Sequence, residues 1–102
     1  MAEELVYVGT KLKYALTITS PGFDMLTDDF TVDILGGRKR LHFDKEDLVV
    51  DENDQYYVCF DTEELGGGII EAVITAFVPD DDFDDSIRKE VVKIELLFAR
   101  KV

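Results

Sequence analysis

The chain has 102 residues, with 23 acidic against 11 basic side chains and a formal net charge of -12 when its one histidine is neutral. That balance argues against nucleic acid and against anionic membrane surfaces as partners, because both need clustered Lys and Arg to neutralise phosphate. The 7 Phe, 4 Tyr and 46% hydrophobic residues argue against a disordered acidic chain, and the length suits one domain, residues 1–102, with a modest core.

The hydrophobic period is two almost throughout. Leu5 to Val8 reads as a short strand. Lys11 to Thr19 follows, with Leu12, Tyr14, Leu16 and Ile18 on one face and Lys11, Lys13, Thr17 and Thr19 on the other, the pattern of a half-buried strand. Ser20-Pro21-Gly22 ends it, since Pro has no ladder donor and Gly permits the turn. Phe30 to Leu35 alternates again, Gly36-Gly37 reads as a two-residue hairpin turn, and Arg38 to Phe43 returns with Leu41 and Phe43 inward. Asp44 to Val50 reads as a bend with a short strand at Leu48 to Val50, and 51–54 as a polar turn.

Tyr56 to Asp61 is the next strand, with Tyr56, Val58 and Phe60 on one face. Thr62 to Leu65 reads as a single helical turn capped by Thr62, and Gly66-Gly67-Gly68 as a backbone reset. Ile69 to Val78 is the longest strand and is apolar on both faces, with Pro79 as its stop. After an acidic loop, Glu90 to Ala99 alternates, with Val92, Ile94, Leu96 and Phe98 on one face. About seven short strands with turns between them and no sustained helical period predict an all-β, antiparallel, immunoglobulin-like sandwich, with a small closed barrel as the alternative.

The single cysteine, Cys59, allows no intrachain disulfide, and mid-strand it reads as a buried, inert thiol. Met1-Ala2-Glu3-Glu4 has neither the basic nor the apolar run of a signal peptide. Ile69 to Val78 contains Glu71 and is too short to cross a bilayer. These features lead us to expect a chain made in the cytoplasm.

The loop Asp80 to Asp85 holds five aspartates, and calcium takes its six to eight ligands from such oxygens. Asp80, Asp82 and Asp84 are therefore candidate calcium ligands, and Tyr56, Tyr57 and Phe83 are aromatics that could stack on a sugar beside them. The helix-flanked calcium loop is not met: counting from Asp80, Asp85 stands where Gly is needed and Val91 where Glu is needed. His42 has no nucleophile or metal-ligand set around it in sequence and reads as an exposed strand histidine. Gly66-Gly67-Gly68 leads into a strand, so it is not a phosphate loop. With no catalytic constellation, no enzyme activity is expected.

The second face of the last two strands carries Ile69, Val73 and Phe77 on one and Val91, Leu97 and Ala99 on the other. A two-layer sandwich normally wets that face, so these apolar residues need a cover, either the protein's own loops or a partner subunit. Val73, Phe77, Val91 and Leu97 are accordingly candidate interface residues for other protein subunits or for self-association.

Three stretches carry a resemblance: Gly22-Phe23-Asp24-Met25 with Asp28-Asp29-Phe30; Tyr56 to Thr62 leading through Leu65-Gly66 to Gly68; and Val78-Pro79-Asp80 running to Arg88 with Glu90-Val91. Together the chain resembles small prophage proteins of gut Bacteroides-type bacteria and, more distantly, the immunoglobulin-like modules of phage tail and baseplate proteins. The resemblance implies a structural role in a virion or similar assembly and no catalytic residues. The second Cys and core Trp of antibody-type domains are missing.

Overall fold

A computed structural model describes residues 5–101. The terminal residues 1–4, and with them the signal-peptide reading, lie outside it.

Eight strands are present among the described residues: β1 (Leu5–Tyr7), β2 (Lys11–Leu16), β3 (Asp29–Gly36), β4 (Lys39–Asp44), β5 (Val49–Val50), β6 (Tyr56–Asp61), β7 (Gly68–Pro79) and β8 (Ile87–Arg100). They form a five-stranded sheet in the order β1-β8-β7-β3-β4 and a three-stranded sheet in the order β2-β6-β5. The all-β expectation holds, but a purely antiparallel arrangement does not, because β1 runs parallel to β8, with Leu5 beside Phe98 and Tyr7 beside Arg100. A local alternation pattern fixes which face a residue takes, not which distant strand it pairs with.

The two sheets share one core. Phe30, Val32 and Ile34 of β3 and Ile70 of β7 are fully buried and cluster with Leu16, Val58 and Phe60 of the smaller sheet. Phe30 meets the Tyr56 ring edge-on across the layers, with centroids 5.5 Å apart, and Tyr14 stacks with Phe60 at 6.1 Å. The alternation read for β2, β3, β6 and β7 places the correct residues inward.

Three local features differ from expectation. The hairpin loop is Gly37-Arg38 rather than Gly36-Gly37, with Gly36 paired to Lys39 inside the ladder. Gly37 takes the positive φ of 58°. Gly36 is needed for a different reason: a Cβ there would lie 2.7 Å from the Leu65 Cβ. The helical turn is a short 3-10 segment, Thr62–Glu64, capped by the Asp61 carboxylate, which accepts from the Glu63 N–H. Thr62 is instead fully buried; its hydroxyl donates to the Thr10 carbonyl at 2.8 Å and accepts from the Gly9 N–H at 2.9 Å. Strand β8 starts at Ile87, three residues before the expected Glu90, and Pro79 is the last residue of β7 rather than the residue beyond it.

A β-bulge in β8 decides what that strand presents. Ile70 pairs with Leu97 and Glu71 with Glu95, leaving Leu96 as the extra residue. The alternation changes phase there. Leu97 and Ala99 thereby join the core face, together with Val92 and Ile94, while Phe98 turns outward.

Candidate interaction surface

Strand β8 pairs with β7 from Ile87 to Ala99 on one side, and among the described residues β1 meets its other side at Phe98, Ala99 and Arg100. Among the described residues, the edge from Ile87 to Leu97 has no second strand. Edge strands usually defend themselves with charge or proline. This edge carries Lys89, Glu90, Lys93 and Glu95, but between and beside them Val91 at 56% exposure, Val92 at 53% and Ile94 at 43% also face solvent in the middle of a long strand.

The exposure of Val92 and Ile94 follows from the mismatch between the sheets. Both lie on the core face, opposite Ile74 and Ala72 of β7. The three-stranded sheet does not reach over them. Strand β2 stops at Leu16, and residues 17–19 pass beside them, leaving a hollow of about 190 Å³ lined by Thr17, Ile18, Thr19, Ile74, Val92 and Ile94. On the opposite face, Ile69, Phe98 and Leu5 form a second exposed apolar group.

Of the four residues expected at an interface, Val91 is exposed and Val73 and Phe77 are half-buried on the outer face. Leu97 is corrected: the bulge places it in the core at 3% exposure. The sequence reading did not single out Val92 and Ile94 as surface residues. The sequence does not show how the strands divide into layers of five and three, which is what leaves these two residues uncovered.

Asp80 closes the β7–β8 turn. Its carboxylate accepts from the Asp82 N–H at 3.0 Å and from Arg88, and these bonds hold it below the usual carboxylate range. Arg88 also donates to Glu90 at 3.0 Å and to the Pro21 carbonyl at 2.6 Å, which ties this turn to the loop after β2. Asp82 and Asp84 are exposed. Among the described residues, no group of three or more His, Cys, Asp or Glu side chains converges to hold a metal ion. Tyr56 is buried against Phe30, and Tyr57 donates to Asp51 at 2.9 Å, so only Phe83 of the three aromatics stands exposed by the acidic turn.

The outer face of β3 and β4 holds a polar cluster that the sequence reading missed. Asp33 stands opposite His42 across the hairpin. The His42 Nδ1 lies 2.6 Å from the Asp33 carboxylate and its Nε2 lies 2.9 Å from Asp44. Arg40 reaches Asp33 at 3.4 Å. Burial pushes Asp33 up, but the His42 and Arg40 hydrogen bonds outweigh it and hold the carboxyl below its ordinary value. The Asp33 and Asp44 hydrogen bonds raise His42. With both ring nitrogens engaged by carboxylates, the imidazole has no nitrogen left to take a proton from a reacting group. The cluster braces the hairpin.

Cys59 lies on the outward face of β6, opposite Lys13, and is exposed rather than buried as expected. Among the described residues, no helix is long and apolar enough to cross a membrane. Comparisons with known protein families, with curated proteins and with solved structures give no match.

Proposed function

We propose that the protein is a non-enzymatic β-sandwich module that works by docking protein subunits along the exposed edge of β8. One observation carries this reading: Val91, Val92 and Ile94 are solvent-exposed on a strand whose outer edge is unpaired from Ile87 to Leu97 among the described residues. Unpaired N–H and C=O groups accept an added strand, and alternate apolar side chains give that strand something to bury. The engagement of both His42 nitrogens supports a role without catalysis.

The setting proposed is an immunoglobulin-like structural component of a phage or prophage virion, in its tail or baseplate, made in the cytoplasm before assembly. The resemblance of the three stretches and the two-layer hairpin rhythm support it. Nucleic acid and membrane are not among the proposed partners, in keeping with the net charge of -12.

The test is co-purification from cells that produce the protein, comparing the native chain with a Val92→Lys, Ile94→Lys variant. Both positions are about half exposed, and circular dichroism checks that the variant keeps its fold. Subunits held by the native chain and lost by the variant support the reading. The same proteins on both chains would remove β8 as the docking edge.

A further inference from the structure

Resting on that reading, we infer that the partner of the β8 edge is a second copy of this chain, paired antiparallel about a two-fold axis at Val92. Charge complementarity selects both the partner and the register.

The two ends of the strands differ in charge. The turns at one end, residues 23–29, 44–55 and 80–86, hold most of its carboxylates. The turns at the other end carry Lys11, Arg38, Lys39, Arg100 and Lys101 against Asp61, Glu63 and Glu64, a small excess of positive charge among the described residues. Antiparallel pairing of two β8 strands sets the acidic end of each copy beside the weakly positive end of the other. A parallel or side-by-side arrangement would stack two acidic ends, which a chain at -12 would resist.

The register follows from the strand itself. A two-fold axis perpendicular to the sheet pairs residues on the same face. Centring it on Val92 sets Lys89 against Glu95 of the second copy, twice by symmetry, Val91 against Lys93, and Val92 against its own mate. Centring on Val91 sets Lys89 against Lys93, centring on Glu90 opposes two glutamates, and centring on Lys93 opposes two lysines; centring on Ile94 sets Lys93 against Glu95, but Lys93 is already held by Glu71 and the paired stretch would run into β1 at Phe98. Like charges directly across a strand pair are destabilising. The paired stretch, Lys89 to Glu95, stops short of Phe98, where β1 takes over the edge.

Both charges are available for this pairing. Among the described residues, neither Lys89 nor Glu95 has an ion-pair partner. Glu95 stands directly opposite Glu71 on β7, and the nearest compensation is Lys93, which bonds Glu71 at 3.4 Å. A lysine arriving from a second copy would relieve that repulsion. The apolar members add burial, since the Val92 pair and Ile94 against the Glu90 stem cover side chains now facing water.

The experiment is solution mass by sedimentation equilibrium over a wide concentration range, with three chains. The native chain is expected to be a reversible dimer. Glu95→Lys places like charges at both symmetric positions and is expected to weaken the dimer about tenfold or more. It also relieves the Glu71 repulsion, so the variant monomer keeps its fold, checked by circular dichroism. The double exchange Lys89→Glu with Glu95→Lys is expected to return the dimer to within about threefold of native, because the pairs are restored with reversed polarity. Val92→Lys, at the axis, gives a monomer and guards against a misfolded Glu95 variant. A native chain monomeric at every concentration overturns the inference, as does a dimer insensitive to Glu95→Lys or not rescued by the exchange. If the native chain is monomeric yet still loses co-purified subunits on Val92→Lys, Ile94→Lys, the second copy is wrong and the docking edge stands. If the co-purified set is also unchanged, both fail.

Discussion

Asp33 and His42 meet across the β3–β4 hairpin with 2.6 Å between the carboxylate oxygen and Nδ1, although Asp33 is only 7% exposed and faces outward from the sheet. The pair exists because the turn is Gly37-Arg38, which sets Asp33 opposite His42; a turn at Gly36-Gly37 would have set it opposite Arg40.

The pair makes stability depend on pH in two windows. His42 is raised, so its contribution is complete below the unfolded value of about 6.5 and fades as pH rises through its higher folded value. Asp33 is lowered, so its contribution is present above the unfolded value near 3.9 and fades as pH falls through the folded one. NMR titration of the single imidazole is expected to give a midpoint above the ordinary histidine value, and Asp33→Asn is expected to bring it down. An unshifted midpoint in the native chain would contradict the geometry.

Thr62 is a buried hydroxyl holding two backbone groups, the Gly9 N–H and the Thr10 carbonyl. Thr62→Val keeps the shape and removes both bonds, so unfolding by urea is expected to show a loss of about 1–3 kcal/mol. Thr62→Ser, which keeps the hydroxyl, should lose less.

Gly36→Ala drives a methyl group to 2.7 Å from the Leu65 Cβ. A loss of about 1–3 kcal/mol is expected by the same assay. The clashing atom is the Leu65 Cβ, which alanine would keep, so only the double variant with Leu65→Gly should fall short of the sum of the two single losses.

Leu97→Ala and Val91→Ala test the bulge. Leu97 is in the core, and its truncation is expected to cost about 2–5 kcal/mol. Val91 is exposed, and its truncation should stay within about 0.5 kcal/mol. Equal effects would mean that the alternation runs unbroken through Leu96.

Arg88 joins the β7–β8 turn to the loop after β2 through Asp80 and the Pro21 carbonyl. Arg88→Gln is expected to speed amide hydrogen exchange in residues 17–28 and 80–86 while leaving β3 and β7 protected. Faster exchange throughout the chain would show that the loss is global instead.

Much of the sheet was legible because a half-buried strand records its two faces in alternate residues, as Phe30, Val32 and Ile34 or Tyr56, Val58 and Phe60 do. Two kinds of information were not there. Leu97 was assigned to the wrong face because a bulge is one extra residue in a ladder, visible only against its partner strand. The exposure of Val92 and Ile94 depends on how far β2 extends over β8, and the Asp33–His42 pair on a turn displaced by one residue. Cys59 misled for a related reason: an apolar neighbour on each side marks a strand, yet the strand turns one of every two residues to water.

The parallel pairing of β1 with β8 joins the first described strand to the last. During synthesis, Leu5 and Tyr7 leave the ribosome long before the strand that will hold them, and β7 likewise waits for one of its two neighbours. Closure of the larger sheet is therefore a late event dominated by distant pairings, which predicts slow folding for so small a chain. A fragment ending at Lys93 would lose the seat of β1 along with the end of β8, so the protein should refuse to assemble from its N-terminal part.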